Sequence, residues 1–188
     1  MAGSRAEFVK QIPETKLSRL LFADTRLAVI WLIIRVYVGW QWFFAGYEKV
    51  ISPAWTGDKT GMALKGFLAG AISKASGPHP DVQDWYAAFL NGFVLQHTTL
   101  FSYMVAYGEL LVGIALILGV FTGVAAFFGA FMNMNYLLAG TVSTNPILLL
   151  LEIPIIIGWR VAGWFGLDRF ILSKFGVPWH PGPFFRKK

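Results

Sequence analysis

Glu109 stands in MVAYGELLVGIALILGVFTG (Met104–Gly123), a run that is otherwise almost hydrocarbon. Three more apolar runs are interrupted in the same way, by Arg35, by Asn133 and Asn135, and by Glu152. A charged side chain at the centre of a bilayer costs about 2.5–3.5 kcal/mol on insertion scales, so such residues need partners. Arg35 can grip a carboxylate through two parallel N–H donors, and the asparagine amides can fill the remaining valences. The pattern predicts a core ion pair between Arg35 and Glu109. Two acids against one arginine leave a carboxylate without its own cation, and Glu152 is assigned as proton donor or acceptor. Asn133, Asn135 and Tyr136 are placed to orient the carbonyls of a lipid-soluble carrier, and Trp42 to stack on its ring. The same residues also admit a structural reading, in which the ion pair is a register-setting clasp and the asparagines join helices.

Positioning them takes helices long enough to cross a bilayer, about 20 apolar residues each. Four segments qualify: 27–47, 101–119, 122–140 and 146–165. Pro154 is expected to kink the last, since proline removes a helical hydrogen bond. At 1.5 Å per residue, Arg35 and Glu109 each lie about 12 Å into their spans, near mid-membrane. The second and third spans form a hairpin. Asn145 is the expected N-cap of the fourth. Between the first two spans, Leu64, Phe67, Leu68, Ala71 and Ile72 follow an amphipathic helical spacing, predicting a helix over 61–74. A second amphipathic helix is predicted over 81–96, capped by Asp81, with Val82, Trp85, Tyr86, Phe89 and Phe93 on one face. Both are expected to lie flat at the membrane interface. The fold class expected is thus all-α: one integral membrane domain, a four-helix bundle with two interfacial helices.

Composition agrees. The chain of 188 residues is 56% apolar and only 14% charged, with mean hydropathy +0.57. Its net charge of +6 is dispersed around the apolar blocks, as in headgroup anchors, and gives no nucleic-acid patch. Eleven basic residues fall on the side of the two termini: Arg5, Lys10, Lys16, Arg19, Arg26, Arg160, Arg169, Lys174, Arg186, Lys187 and Lys188. Lys49, Lys59, Lys65 and Lys74 fall on the other. The positive-inside rule then puts both termini in the cytoplasm of a multi-pass plasma (inner) membrane protein. The N-terminal stretch is charged throughout and is not read as a cleavable signal, and LSRLLF within it suits a short interfacial helix.

The chain has no cysteine, which excludes disulfides, iron–sulfur clusters and thiol chemistry. His79, His97 and His180 lie outside the spans without ligand spacing, which argues against haem or another metal. No Walker or Rossmann motif is present. Trp40, Trp42 and Trp55 are expected to form an outer aromatic belt. Gly39, Gly46, Gly108, Gly113, Gly119, Gly123 and Gly129 are read as close-packing positions.

The stretches GPHPDVQDWYAAFL, YGELLVGIALILGVFTGVAAFFGAFMNMNYLLAGTVSTNP and AGWFGLDRF resemble the DoxX/DoxD family of small membrane proteins. The resemblance rests on Gly108–Glu109, on Asn133 with Asn135, and on Ser143–Thr144–Asn145–Pro146. It implies a four-helix membrane fold and, through the DoxD members, the membrane subunit of a thiosulfate:quinone oxidoreductase. A quinone would then be substrate or bound carrier, held in membrane lipid beside a partner subunit. A thiosulfate dianion would look for cations near the outer face, where Lys49 and His97 are candidates. Two other classes fit the same residues: a non-catalytic subunit of a larger respiratory or photosynthetic complex, and a small-solute transporter.

Overall fold

A computed structural model describes residues 14–177 and 180–181. Arg5, Lys10, Arg186, Lys187 and Lys188 lie outside these described residues. The first helix, α1 (Lys16–Phe22), starts behind Thr15, whose hydroxyl accepts the Ser18 N–H at 3.2 Å. After a short turn comes α2 (Ala28–Val50), and Pro53 then opens the one-turn α3 (Pro53–Thr56). Proline suits a first turn because its missing N–H has no partner there anyway. α4 (Met62–Ser73) buries Leu64, Leu68 and Ala71, one side of the predicted stripe.

α5 (Asp84–Phe89) begins three residues later than expected, behind Gln83 rather than Asp81. It buries Tyr86 and Ala87, and the chain beyond it buries Leu90 and Val94; Trp85, Phe89 and Phe93 stay exposed. The expected single apolar face is therefore two stripes, one inward and one outward. α5 also does not end before the next span. It continues through a π turn (Leu90–Val94) and a 3-10 turn (Leu95–His97) into α6 (Thr98–Leu118). Gly108 of α6 packs near Met132, and Tyr86 of α5 reaches the Asn135 carbonyl on the same neighbouring helix. A straight helix would carry Tyr86 about 33 Å from the level of Gly108. The run therefore bends sharply, and His97, at φ −121° and ψ 34°, leaves helical geometry there.

α7 (Thr122–Leu138) follows a tight turn, then α8 (Asn145–Ile157) and the short α9 (Trp159–Ala162). The expected fourth span is divided. Pro154 is tolerated inside α8, and the helix stops at Gly158, whose N–H bonds Pro154 O at 2.8 Å. Thr144, not Asn145, is the N-cap position, and Asn145 instead donates its amide to Thr141 O at 2.9 Å. α10 (Asp168–Phe175) precedes a two-residue antiparallel pairing of β1 (Gly176–Val177) with β2 (His180–Pro181), a small departure from an all-helical chain.

Two packed regions result. Ala28, Val38, Trp42, Leu116, Ala126 and Ile155 belong to a core shared by α2, α6, α7 and α8. Leu64, Leu68, Val82, Tyr86, Leu90 and Ala139 belong to a second one, where α4 and α5 pack against the end of α7. Glycines set the closest approach. A Cβ on Gly46 would lie 2.2 Å from Leu110 N, and one on Gly113 2.3 Å from Phe43 N. No larger residue fits, so Gly46 locks opposite Leu110 and Phe43 opposite Gly113. Small residues are how helices gain contact where the surrounding solvent is as apolar as the side chains.

Among the described residues, two helical runs are long and apolar enough to cross a membrane, Thr25–Val50 and Asp84–Leu118, and only 33% of each apolar window is buried inside the protein. A core helix of a soluble protein would be mostly buried. Here Ile33, Leu111, Phe131 and Leu150 point outward, each more than half exposed.

Candidate functional site

The buried stripe of each long helix carries its polar residue. α2 buries Trp31, Arg35, Val38, Trp42 and Gly46; α6 buries Ala106, Glu109, Val112 and Leu116. α7 buries Ala126, Gly129 and Asn133, and α8 buries Leu148, Glu152 and Ile155. Arg35, Glu109, Asn133 and Glu152 therefore all face inward. They do not form one cluster.

Glu109 is 1% exposed, and its partner is Lys49, whose ammonium lies 2.6 Å from Oε2. Its other oxygen, Oε1, accepts the hydroxyl of Tyr136 on α7. Lys49 also donates to Ala45 O at 3.3 Å and lies 5.4 Å above the ring of Trp55 on α3. Its side chain is 22% exposed, so this end of the network reaches the surface.

Glu152 forms a separate site. Oε1 accepts the Trp42 indole N–H at 2.5 Å, and Oε2 accepts the Asn133 amide at 2.6 Å. No cation among the described residues touches it. Gly129 makes room for it, because a Cβ there would lie 2.5 Å from Glu152 Oε1. The Asn133 Oδ1 is buried without a partner. The two sites meet through the stacked rings of Trp42 and Tyr136, 6.4 Å apart.

The expected Arg35–Glu109 ion pair is not formed. Arg35 donates to Leu116 O at 2.8 Å and to Phe165 O at 3.3 Å, and the Asp168 carboxylate attracts its charge. The reason is axial register. With Gly46 against Leu110, Glu109 faces the C-terminal end of α2, whereas Arg35 lies eleven residues earlier, about 16 Å along the helix. Arg35 instead covers the carbonyl end of α6, where a cation is favoured. Gly119 must be glycine there: its φ is +68°, and a Cβ would lie 2.0 Å from Arg35 Nη1. Asp168 completes this clamp. Its oxygens accept the N–H groups of Phe121 at 2.6 Å and Thr122 at 2.8 Å, capping α7 and holding Phe121 at its unusual φ of 48°. Asp168 was missed as a partner, although AGWFGLDRF contains it; its only signal was an acid just past the last apolar run.

Other candidates also separate. Asn133 and Asn135 are two residues apart and so point to different sides of α7. Asn135 bonds Phe131 O at 2.8 Å and accepts the Tyr86 hydroxyl at 3.1 Å. Trp42 is 2% exposed, not part of a surface belt, while Trp40 is exposed. His97 is exposed at the start of α6 and donates from Nδ1 to Phe93 O at 2.9 Å. Lys49 is tied to Glu109. These two therefore do not converge as a dianion site.

Beside the Glu109 network lies an apolar cavity of about 470 Å³, bounded by α4, α5, α6 and α7. Its polar wall groups are Tyr86, Asn135 and Tyr136. Met104, Leu111, Phe128 and Phe131 also border it, and each is more than half exposed on the outward faces of α6 and α7. The cavity therefore opens sideways, toward the side that the apolar helix faces present to their surroundings. Volumes of about 300–1,000 Å³ with a few convergent polar groups are usual for small-molecule sites.

A chain that is helical but for one two-residue pairing, and whose longest helices turn apolar faces outward, is the framework of a membrane protein. The DoxX family model matches residues 30–141, more than half of the chain, and the chain belongs to the DoxX family of membrane proteins. The match spans α2 to α7 and so includes Lys49, Glu109 and Tyr136; Glu152 and Asp168 lie beyond it. No curated protein and no solved structure matches the chain.

Proposed function

We propose that this protein is a quinone-reactive subunit of a membrane redox enzyme. The observation that carries the reading is the sideways-opening apolar cavity whose wall includes Tyr136, hydrogen-bonded to Glu109. A quinone dissolved in lipid enters such a cavity without crossing water. Its ring packs among Phe101, Phe128 and Met132, and its oxygens meet Tyr86, Asn135 and Tyr136. Glu109 and Lys49 are the charged groups behind that wall. Arg35 has a positioning role here, through the α6–α7 turn, and Glu152 with Trp42 and Asn133 ties α2, α7 and α8 together.

In this reading α2, α6, α7 and the α8–α9 pair are four crossings of the plasma membrane. α7 with 17 residues is about 26 Å long, slightly short of a 30 Å hydrocarbon core, which local thinning accommodates. Both termini lie in the cytoplasm, and α3, α4 and α5 form a cap on the outer face, following the asymmetry of the basic residues. Thiosulfate is the electron donor that DoxD-like kinship implies. Lys49 is occupied by Glu109, so donor oxidation is assigned to a partner subunit docked on the cap.

The test is labelling of the full-length protein in lipid nanodiscs with a photoreactive azidoquinone. Labelled residues should map to α6 and α7 around Gly108 and Met132, and Gly108→Phe, which fills the cavity, should abolish the label. Labelling spread evenly over the lipid-facing surface sinks the quinone reading. Thiosulfate-dependent reduction of decylubiquinone by membranes containing the protein, absent from membranes lacking it, tests the donor.

A further inference from the structure

We propose that Lys49, Glu109 and Tyr136 form a proton relay from water at the outer cap to the cavity. The proposal rests on the quinone reading above and assigns its proton path. Three side chains from three helices make two consecutive hydrogen bonds. Lys49 of α2 donates to Glu109 of α6 at 2.6 Å, and Tyr136 of α7 donates to the other oxygen of the same carboxyl. The chain has an inside and an outside end. Lys49 is 22% exposed beside Trp55, and Tyr136 is in the cavity wall. Glu109, between them, is 1% exposed and reaches neither water nor cavity by itself.

No other polar group of the described wall offers such a route. Tyr86 and Asn135 bond to each other and to backbone carbonyls of α7, where the network stops. Glu152, Trp42 and Asn133 are all buried, and none borders the cavity. The titratable groups facing Glu109 are Lys49 from α2 and Tyr136 from α7; Tyr86 of α5 faces Tyr136.

Each transfer is balanced. When the quinone takes an electron, Tyr136 gives its hydroxyl proton to the quinone oxygen. The Glu109 carboxylate takes a proton from the Lys49 ammonium and passes it to the tyrosinate, restoring that O–H, and Lys49 regains a proton from water. Two such cycles with two electrons convert the quinone to quinol, and the same path runs backward during quinol oxidation. Protons are thus exchanged on the cap side alone.

The test supplies electrons from an electrode, so that no partner subunit is needed. The full chain is placed in an electrode-supported bilayer containing decylubiquinone, and the protein-dependent rate of proton-coupled reduction is recorded in H₂O and D₂O. Azidoquinone labelling of each variant is measured in parallel. Glu109→Gln and Tyr136→Phe should keep the label, slow the rate roughly 100-fold, as expected on losing a proton-transfer group, and lose the solvent isotope effect. If Glu109→Gln does not fold, Tyr136→Phe, which leaves the ion pair intact, carries the test. Absence of cavity labelling in the wild type overturns the quinone reading, and the relay with it. Normal labelling with a wild-type rate in Tyr136→Phe overturns the relay alone, as does a wild-type rate no faster than that of a protein-free bilayer.

Discussion

Glu109 and Glu152 are nearly equal in burial, 1% and 0% exposed, yet their surroundings differ in kind. Glu109 has a full cation on one oxygen and a tyrosine hydroxyl on the other, and the cation reaches the surface. Glu152 has two neutral donors, an indole and an amide, and no outlet. Burial alone therefore does not distinguish the two acids of this protein. What separates the two is connection: one site has a cavity on one side and a partly exposed cation on the other, and the other is enclosed by α2, α7 and α8.

The severest way to break this comparison is to pull α2 from α6, since Lys49 and Trp42 both project from α2. Gly113→Leu pushes a side chain into the Phe43 backbone, where even a Cβ lies at 2.3 Å. The expected loss is more than about 3 kcal/mol, because backbone gives way less easily than side chains. Circular dichroism melts in detergent should show a lower, broader transition, and an unchanged melt would show that the close crossing is dispensable.

Next in size is Lys49→Met. It leaves the Glu109 carboxyl buried without its cation, at a cost of about 3 kcal/mol, the lower end for a broken buried pair because Lys49 is partly exposed. The double variant Lys49→Met with Glu109→Gln should regain most of that stability, as removing both charges removes the mismatch. If the double variant melts as low as the single, the pair is not the source of the loss.

Smaller effects are expected at Glu152. Trp42→Phe deletes one donor to a buried carboxyl and should cost about 1–3 kcal/mol. Glu152→Gln should cost least, under about 1 kcal/mol. A glutamine keeps an acceptor for Trp42 and offers an amide hydrogen to the unpartnered Asn133 Oδ1 once the Asn133 amide turns over. A cost for Glu152→Gln equal to that of Lys49→Met would erase the distinction between a charge-paired and a neutral-donor site.

Much of the helix plan was legible. The α6–α7 hairpin follows from two apolar runs with almost nothing between them, and α4 follows from the spacing of Leu64, Leu68 and Ala71. The bend that carries α5 into α6 was not legible, because neither proline nor glycine stands beside His97, where the chain leaves helical geometry. Nor was the break at Gly158: Pro154 announced a disturbance, but the helix carried it for one more turn. At the site, it could be read that Arg35, Glu109, Asn133 and Glu152 need partners inside the bundle, and the pairing among them could not.

Residue types and their periodicity determined that four polar side chains would be carried on buried helix faces, since an apolar stripe with one polar member must turn that member inward. Which cation meets which acid was decided only when the helices packed. Partner choice depends on axial offset, and that offset comes from glycines interlocking at Gly46 and Gly113, not from where the apolar runs begin. An offset of eleven residues, about 16 Å, sent Arg35 to the end of α6 and gave Glu109 to Lys49.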